Sequence, residues 1–324
     1  FCEVLWTHHS PFQKKNKRKK IMSEGVVFTN QTLQDAVQLW FQNRDQAESR
    51  WGDIGTWNVS KVTSMNSLFC DRIYFNENIS RWDVSSVTDM GQMFSNACSF
   101  NQPLNSWNVS SVTDMGLMFL GAHSFNQPLN PWDVSSVTDM GGMFCGAHSF
   151  NQPLYSWNVS SVTDMGWMFC SARSFNQPLN PWDVSSVTDM EQMFCGARSF
   201  NQSLDLWDIS SVTNMEQMFC SARSFNQSLD LWDISSVTNM EWMFCGARSF
   251  NQPIMKLHLI YQYKGMGSNI LRNVFPETLS SFIFFEFIEG FFDNRSDNGY
   301  FEQMVEMNEC VGVLPIFIFA YCIP

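Results

Sequence analysis

A tryptophan recurs every 25 residues along this chain, at Trp57, Trp82, Trp107, Trp132, Trp157, Trp182, Trp207 and Trp232. A fixed short period of this kind is the signature of a solenoid. Each unit is too small to own a core and buries its apolar side chains against its neighbours. Length alone would allow two or three ordinary domains. The period instead sets the plan: a tail over 1–25, an N-terminal capping helix within 26–56, eight units over 57–256, and a non-repeating tail over 257–324.

In the unit that opens at Trp132, the apolar residues Val137, Met140, Met143 with Phe144, Ala147 and Phe150 fall mostly three apart. That spacing predicts a helical or 3₁₀ stripe with one buried face. Around the tryptophan the pattern is Leu129, Trp132, Val134, with alternation at its end, which predicts a short strand followed by a corner at Ser135-Ser136. The expected fold is therefore an α/β repeat solenoid, with short parallel strands on one face and short helical turns on the other. Stacked at about 4.8 Å, eight units would extend roughly 40 Å. The phenylalanine and methionine columns read as core. The asparagine column (Asn76, Asn101, Asn126, Asn151, Asn176, Asn201, Asn226, Asn251) reads as a structural ladder, because a buried amide needs partners in its own loop or the next.

The motif Trp-Asp-Val-Ser-Ser-Val-Thr-Asp-Met-x-x-Met-Phe, followed by Ala-x-Ser-Phe-Asn-Gln-x-Leu, resembles the leucine-rich-repeat solenoids, and specifically the BspA-like surface proteins with mycoplasma-lipoprotein-type 25-residue repeats of unknown function. The resemblance implies a leucine-rich-repeat-like solenoid with a parallel sheet on one face, displayed at a cell surface and often adhesive. It carries over no common active site.

Outside the array, Lys14 to Lys20 form a basic run that reads as a solvated or spurious tail, with a nuclear-signal or anionic-surface reading beside it, and Met22 reads as a translation start. The segment Thr32-Leu-Gln-Asp35 resembles a capping box, and Leu33, Val37, Trp40 and Phe41 make the apolar stripe of a helix placed to cover Trp57 and Phe69. After Ile254 the repeat stops in mid-motif. That tail reads as a cap, a truncated membrane anchor or readthrough, with readthrough favoured; its last apolar cluster falls short of the about 20 residues a span requires.

Several columns are candidates for function. The residue between the inward Trp and Val should face outward, giving Asn58, Asp83, Asn108, Asp133, Asn158, Asp183, Asp208 and Asp233. Carboxylates at strand spacing repel one another unless a cation or a basic partner lies among them, so this stripe is the candidate binding face, for a basic protein or for Ca²⁺. The competing reading is a solvated face whose Asp and Asn make local turn bonds. A second column (Asp89, Asp114, Asp139, Asp164, Asp189, Asn214, Asn239) looks like helix capping. The basic row His123, His148, Arg173, Arg198, Arg223, Arg248 reads as solvated charge paired with Glu191, Glu216 and Glu241. Cys70, Cys145, Cys170, Cys195, Cys220 and Cys245 share one register and read as small buried thiols. Sequons at Asn58, Asn78, Asn108, Asn158, Asn201 and Asn226 matter only in a secretory pathway.

No phosphate loop, nucleophile elbow or acid/base pair stands apart from the repeat, so a non-enzyme with no cofactor beyond Ca²⁺ is expected. A net charge of −12 argues against nucleic acid as partner. The function expected is recognition or adhesion of a protein or glycan along the sheet face, at a cell surface or outside the cell. The alternatives are a cytoplasmic scaffold with free thiols and, more weakly, an ordered ice- or mineral-binding surface. Membrane association is left open.

Overall fold

The computed structural model describes residues 25–252 of the chain. The basic run, Met22 and the non-repeating tail lie outside the described residues, as does the end of the array.

The chain coils, and each coil stacks on the last in strict register. Neighbouring coils meet at a parallel backbone bridge, running Ser64, Asp89, Asp114, Asp139, Asp164, Asp189, Asn214, Asn239. The Trp-x-Val alternation predicts a strand at a step that pairs only ahead of the array, where Val27 bridges Asn58; between coils the pairing lies elsewhere. It falls on the Thr-Asp step, and each coil contributes a single bridge residue there. The alternation itself survives: Trp132 and Val134 are buried and Asp133 is exposed. Its backbone closes local turns instead, with the Val137 N–H donating to Val134 O at 2.9 Å.

The period-three stripe is not a helix either. In the unit of Trp132, alternate N–H groups bond within the coil and between coils. Met143 and Ala147 donate to Met140 and Phe144 at 3.1 and 3.0 Å, closing three-residue steps. Met140, Gly142, Phe144 and Gly146 donate onward to Asp164, Gly166, Met168 and Cys170 at 3.1, 2.7, 2.9 and 2.7 Å. What prevents a helix is a left-handed residue twice per coil, here Gly142 at φ 60° and Gly146 at φ 69°. A left-handed residue in the third place of a four-residue turn is what a type II turn requires, so two such turns replace the helix. Their three-residue step explains the apolar spacing. Non-glycine residues hold the same conformation elsewhere, among them Gln92, Leu117, Trp167 and Ser171.

The core is one continuous stack. Phe119 lies over Phe144 with centroids 5.7 Å apart and planes 5° from parallel, and Phe125 over Phe150 at 6.0 Å. Within a coil, Phe144 and Phe150 face each other at 4.0 Å. From Trp82 to Trp232 each buried indole of the array keeps its polar N–H satisfied by reaching into the preceding coil, as Trp157 Nε1 does to Leu129 O at 3.0 Å. The asparagine ladder forms as expected: Asn126 Oδ1 accepts the Asn151 N–H and the Gln152 Nε2, both at 3.0 Å.

Among the described residues two helices precede the array, α1 (Asn30–Gln42) and α2 (Arg44–Trp51), followed by a 3₁₀ turn at Ile54–Thr56. The capping box of α1 lies one turn earlier than Thr32-to-Asp35 suggests. Thr29 is the N-cap and exchanges bonds with Thr32, while Asp35 accepts from Gln31. The apolar stripe of α1 lies on the first coil, with Trp40 edge-on to Trp57 at 5.7 Å and Phe41 edge-on to Phe69 and Phe75 at 6.4 and 5.9 Å. Ile54 occupies the leucine column, its carbonyl accepting the Trp82 indole at 2.8 Å.

Candidate functional site

The outward column between Trp and Val is exposed throughout, at Asn58, Asp83, Asn108, Asp133, Asn158, Asp183, Asp208 and Asp233. In each coil the side-chain Oδ1 accepts the backbone N–H of the serine two residues on. Asp133 takes Ser135 N–H at 3.1 Å and Ser135 Oγ at 2.7 Å. These are the local turn bonds that Asp, Asn and Ser make at corners. They fix the side chain in one orientation. The serine hydroxyl, and then the serine N–H, hold Asp83, Asp133, Asp183 and Asp208 below the usual carboxylate range. Asparagine separates the carboxylates in the first coils. Asp183, Asp208 and Asp233 then follow without interruption, and each feels the repulsion of the next.

The second Asp/Asn column sits at the bridge and is partly buried except at Asp164, which is exposed. There is no helix for it to cap. Instead Asp139 Oδ1 accepts the Gly141 N–H at 2.8 Å, and the same bond recurs at Asp164 with Gly166. Burial, more than the neighbouring carboxylates, pushes Asp114 and Asp164 up from the ordinary value. Next to it the threonine hydroxyls turn back to the preceding coil, Thr138 Oγ1 donating to Thr113 O at 3.3 Å. Serine does likewise, Ser136 Oγ to Ser110 O at 2.8 Å. These stitches were not expected from the sequence; a hydroxyl in fixed register with a carbonyl was the only signal.

The basic row departs from the expected pairing. Among the described residues the ion pairs join Arg44 to Glu48 and to Glu77. Glu191 and Glu216 are instead held by amides, accepting from Asn214 and Asn239. Arg173, Arg198, Arg223 and Arg248 are exposed. His123 and His148 stack at 4.4 Å, and burial with the charge of Arg173 lowers His148 from its usual value. Among the described residues no group of three or more His, Cys, Asp or Glu side chains is arranged to hold a metal ion. No described helix is long and apolar enough to cross a membrane.

One family model matches the chain, that described as Mycoplasma protein of unknown function, DUF285, over residues 36–157, 103–202 and 178–271. The overlapping matches are what a tandem array of self-similar coils produces. No curated protein and no solved structure is matched.

Proposed function

The chain belongs to that family, whose matches together cover well over half its length, and from this premise we propose that it is a non-catalytic recognition module of a cell surface. In this reading the coils are leucine-rich-repeat-like, α1 and α2 cap the first coil, and a protein or glycan is bound along the exposed column from Asn58 to Asp233. The observation that carries the reading is the fixed row of outward carboxylates and amides. Each is oriented by its own serine, and the carboxylates at Asp83, Asp133, Asp183 and Asp208 are biased toward the charged form. A row of like charge held rigid favours a partner that brings the opposite charge, either a basic protein or Ca²⁺ bridging to a glycan.

The test replaces Asp133, Asp183, Asp208 and Asp233 together by asparagine, the residue the column already carries at Asn58, Asn108 and Asn158. The expected result is a folded protein that loses capture of basic proteins or glycans and any rise in melting temperature with Ca²⁺. If both are unchanged, the face is a solvated one. A hydrolase activity that stays with the purified array would overturn the non-catalytic reading.

A second reading, an intracellular scaffold, is favoured by the thiols of Cys70, Cys98, Cys145, Cys170, Cys195 and Cys220, since reduced cysteines are the rule in a reducing compartment. Mass analysis of the native protein separates the two. Glycans at the sequons support the surface module, and an unglycosylated chain with fully reduced thiols supports the scaffold.

A further inference from the structure

The cysteine column has no part in the recognition reading. Cys145, Cys170, Cys195, Cys220 and Cys245 stand in one register in five consecutive coils, and Ser95 and Leu120 interrupt the column between them and Cys70. Backbone bonds fasten each neighbouring pair. Gly146, Ser171, Gly196 and Ser221 donate their N–H groups to the carbonyls of Cys170, Cys195, Cys220 and Cys245 at 2.7, 2.6, 2.7 and 2.6 Å. The cysteine side chains therefore stand one above another in neighbouring coils. Cys170 is buried and the other four are half-buried, so the column is open to small reagents along most of its length.

Parallel stacking at about 4.8 Å puts adjacent Cα atoms inside the disulfide window of roughly 4.4–6.8 Å, while next-but-one cysteines, at about 9.6 Å, lie outside it. Only neighbours can pair. The same stacking holds Cβ atoms about 4.8 Å apart, somewhat beyond the usual ~3.5–4.5 Å, so the bond forms under strain and is readily reduced.

We propose that this column is a redox-modification site, in which adjacent thiols exchange with a small-molecule disulfide of the glutathione type to form labile disulfides between coils, at most two at a time. A column thiolate attacks one sulfur of the small disulfide, forming a mixed disulfide and releasing one small thiolate. The neighbouring column thiol loses its proton to solvent and attacks the protein-side sulfur. The inter-coil bond forms, and the second small thiolate leaves. Each bond removes two hydrogens from the column and reduces one small disulfide to two thiols. Five thiols that pair only with neighbours always leave one over.

The experiment incubates the full chain with oxidised glutathione, alkylates what remains under denaturing conditions, and maps the column by mass spectrometry. The native column should show two disulfides and one alkylated cysteine. Cys195→Ser should still show two disulfides, Cys145–Cys170 and Cys220–Cys245, with no alkylated cysteine left in the column. Cys170→Ser isolates Cys145 and should show one disulfide and two alkylated cysteines. Serine is already accommodated in this register at Ser95, so both variants keep the coil. A column fully alkylated after oxidation, stable glutathione adducts in place of disulfides, bonds between non-adjacent coils, or equal counts in the two variants would each overturn the proposal.

Discussion

The Trp132 indole donates its Nε1–H to the carbonyl of Leu104, 2.9 Å away in the preceding coil. The same bond is repeated from coil to coil, so the tryptophan that sets the sequence period also ties each coil to the one before it. Leu104 O additionally accepts the backbone N–H of Trp107 at 3.0 Å. Trp132→Phe keeps most of the buried ring, removes the donor, and leaves that carbonyl with one partner. The loss should be close to one net hydrogen bond plus a small packing defect, about 1–2 kcal/mol. Urea unfolding of the variant checks it.

The asparagine ladder is predicted to cost more per residue. Asn126→Ala strands the Asn151 N–H and the Gln152 amide, which both rely on Asn126 Oδ1. An unsatisfied, half-buried donor costs about 1–3 kcal/mol. Asn126→Asp retains the acceptor and should lose less. Comparing the two unfolding midpoints separates the bond from the burial.

Gly146 tests the turn. A Cβ there meets Gly121 Cα and N at 3.4 Å, which is tight but tolerable, so the cost of Gly146→Ala comes chiefly from its φ of 69°. A left-handed non-glycine residue is less stable by about 1–2 kcal/mol. The thermal midpoint should fall accordingly, with circular dichroism unchanged.

The two acidic columns give opposite pH dependences. Asp114 and Asp164 are raised by burial, so the fold prefers them protonated. The stability they contribute is present at low pH and is lost as pH rises through their raised values. Asp83, Asp133, Asp183 and Asp208 are lowered, so their contribution is present above the ordinary carboxylate value and is lost as pH falls through their lowered ones. Melting temperature should therefore peak between the two sets, on the acid side of neutrality. Asp164→Asn keeps the acceptor for the Gly166 N–H, and asparagine stands natively at Asn214 and Asn239. It should raise the melting temperature at neutral pH and flatten its rise toward acid.

The sequence was informative wherever a side chain is forced inward. The Trp, Met and Phe columns and the asparagine ladder were legible because burial and amide satisfaction leave few alternatives. The backbone path was not. Trp132, Asp133 and Val134 alternate as a strand would, but Asp133 uses its acceptor on Ser135, and the bridge moves to Asp139. The three-residue stripe arises from turns that pass through left-handed residues. Gly146 advertised this, whereas Gln92, Leu117 and Trp167, at φ 56°, 58° and 62°, concealed it. On the candidate face, exposure of the Asp133 column was legible from alternation. Its orientation by serine was legible only as one of two readings, and the Glu–Arg pairing expected beside it gave way to Glu–amide bonds because Asn214 and Asn239 lie closer in register.

The central claim is that each 25-residue unit is one interchangeable layer of a continuous stack. Deleting residues 157–181 removes one layer and joins Ser156 to Trp182 in register, whereas deleting 157–168 breaks the register. Denaturant unfolding of the first variant should remain cooperative, with a midpoint only slightly below that of the parent, because a solenoid loses one unit and one interface. The second should lose its cooperative transition. A whole-unit deletion that abolishes cooperativity, or a half-unit deletion that is equally well tolerated, would contradict the account.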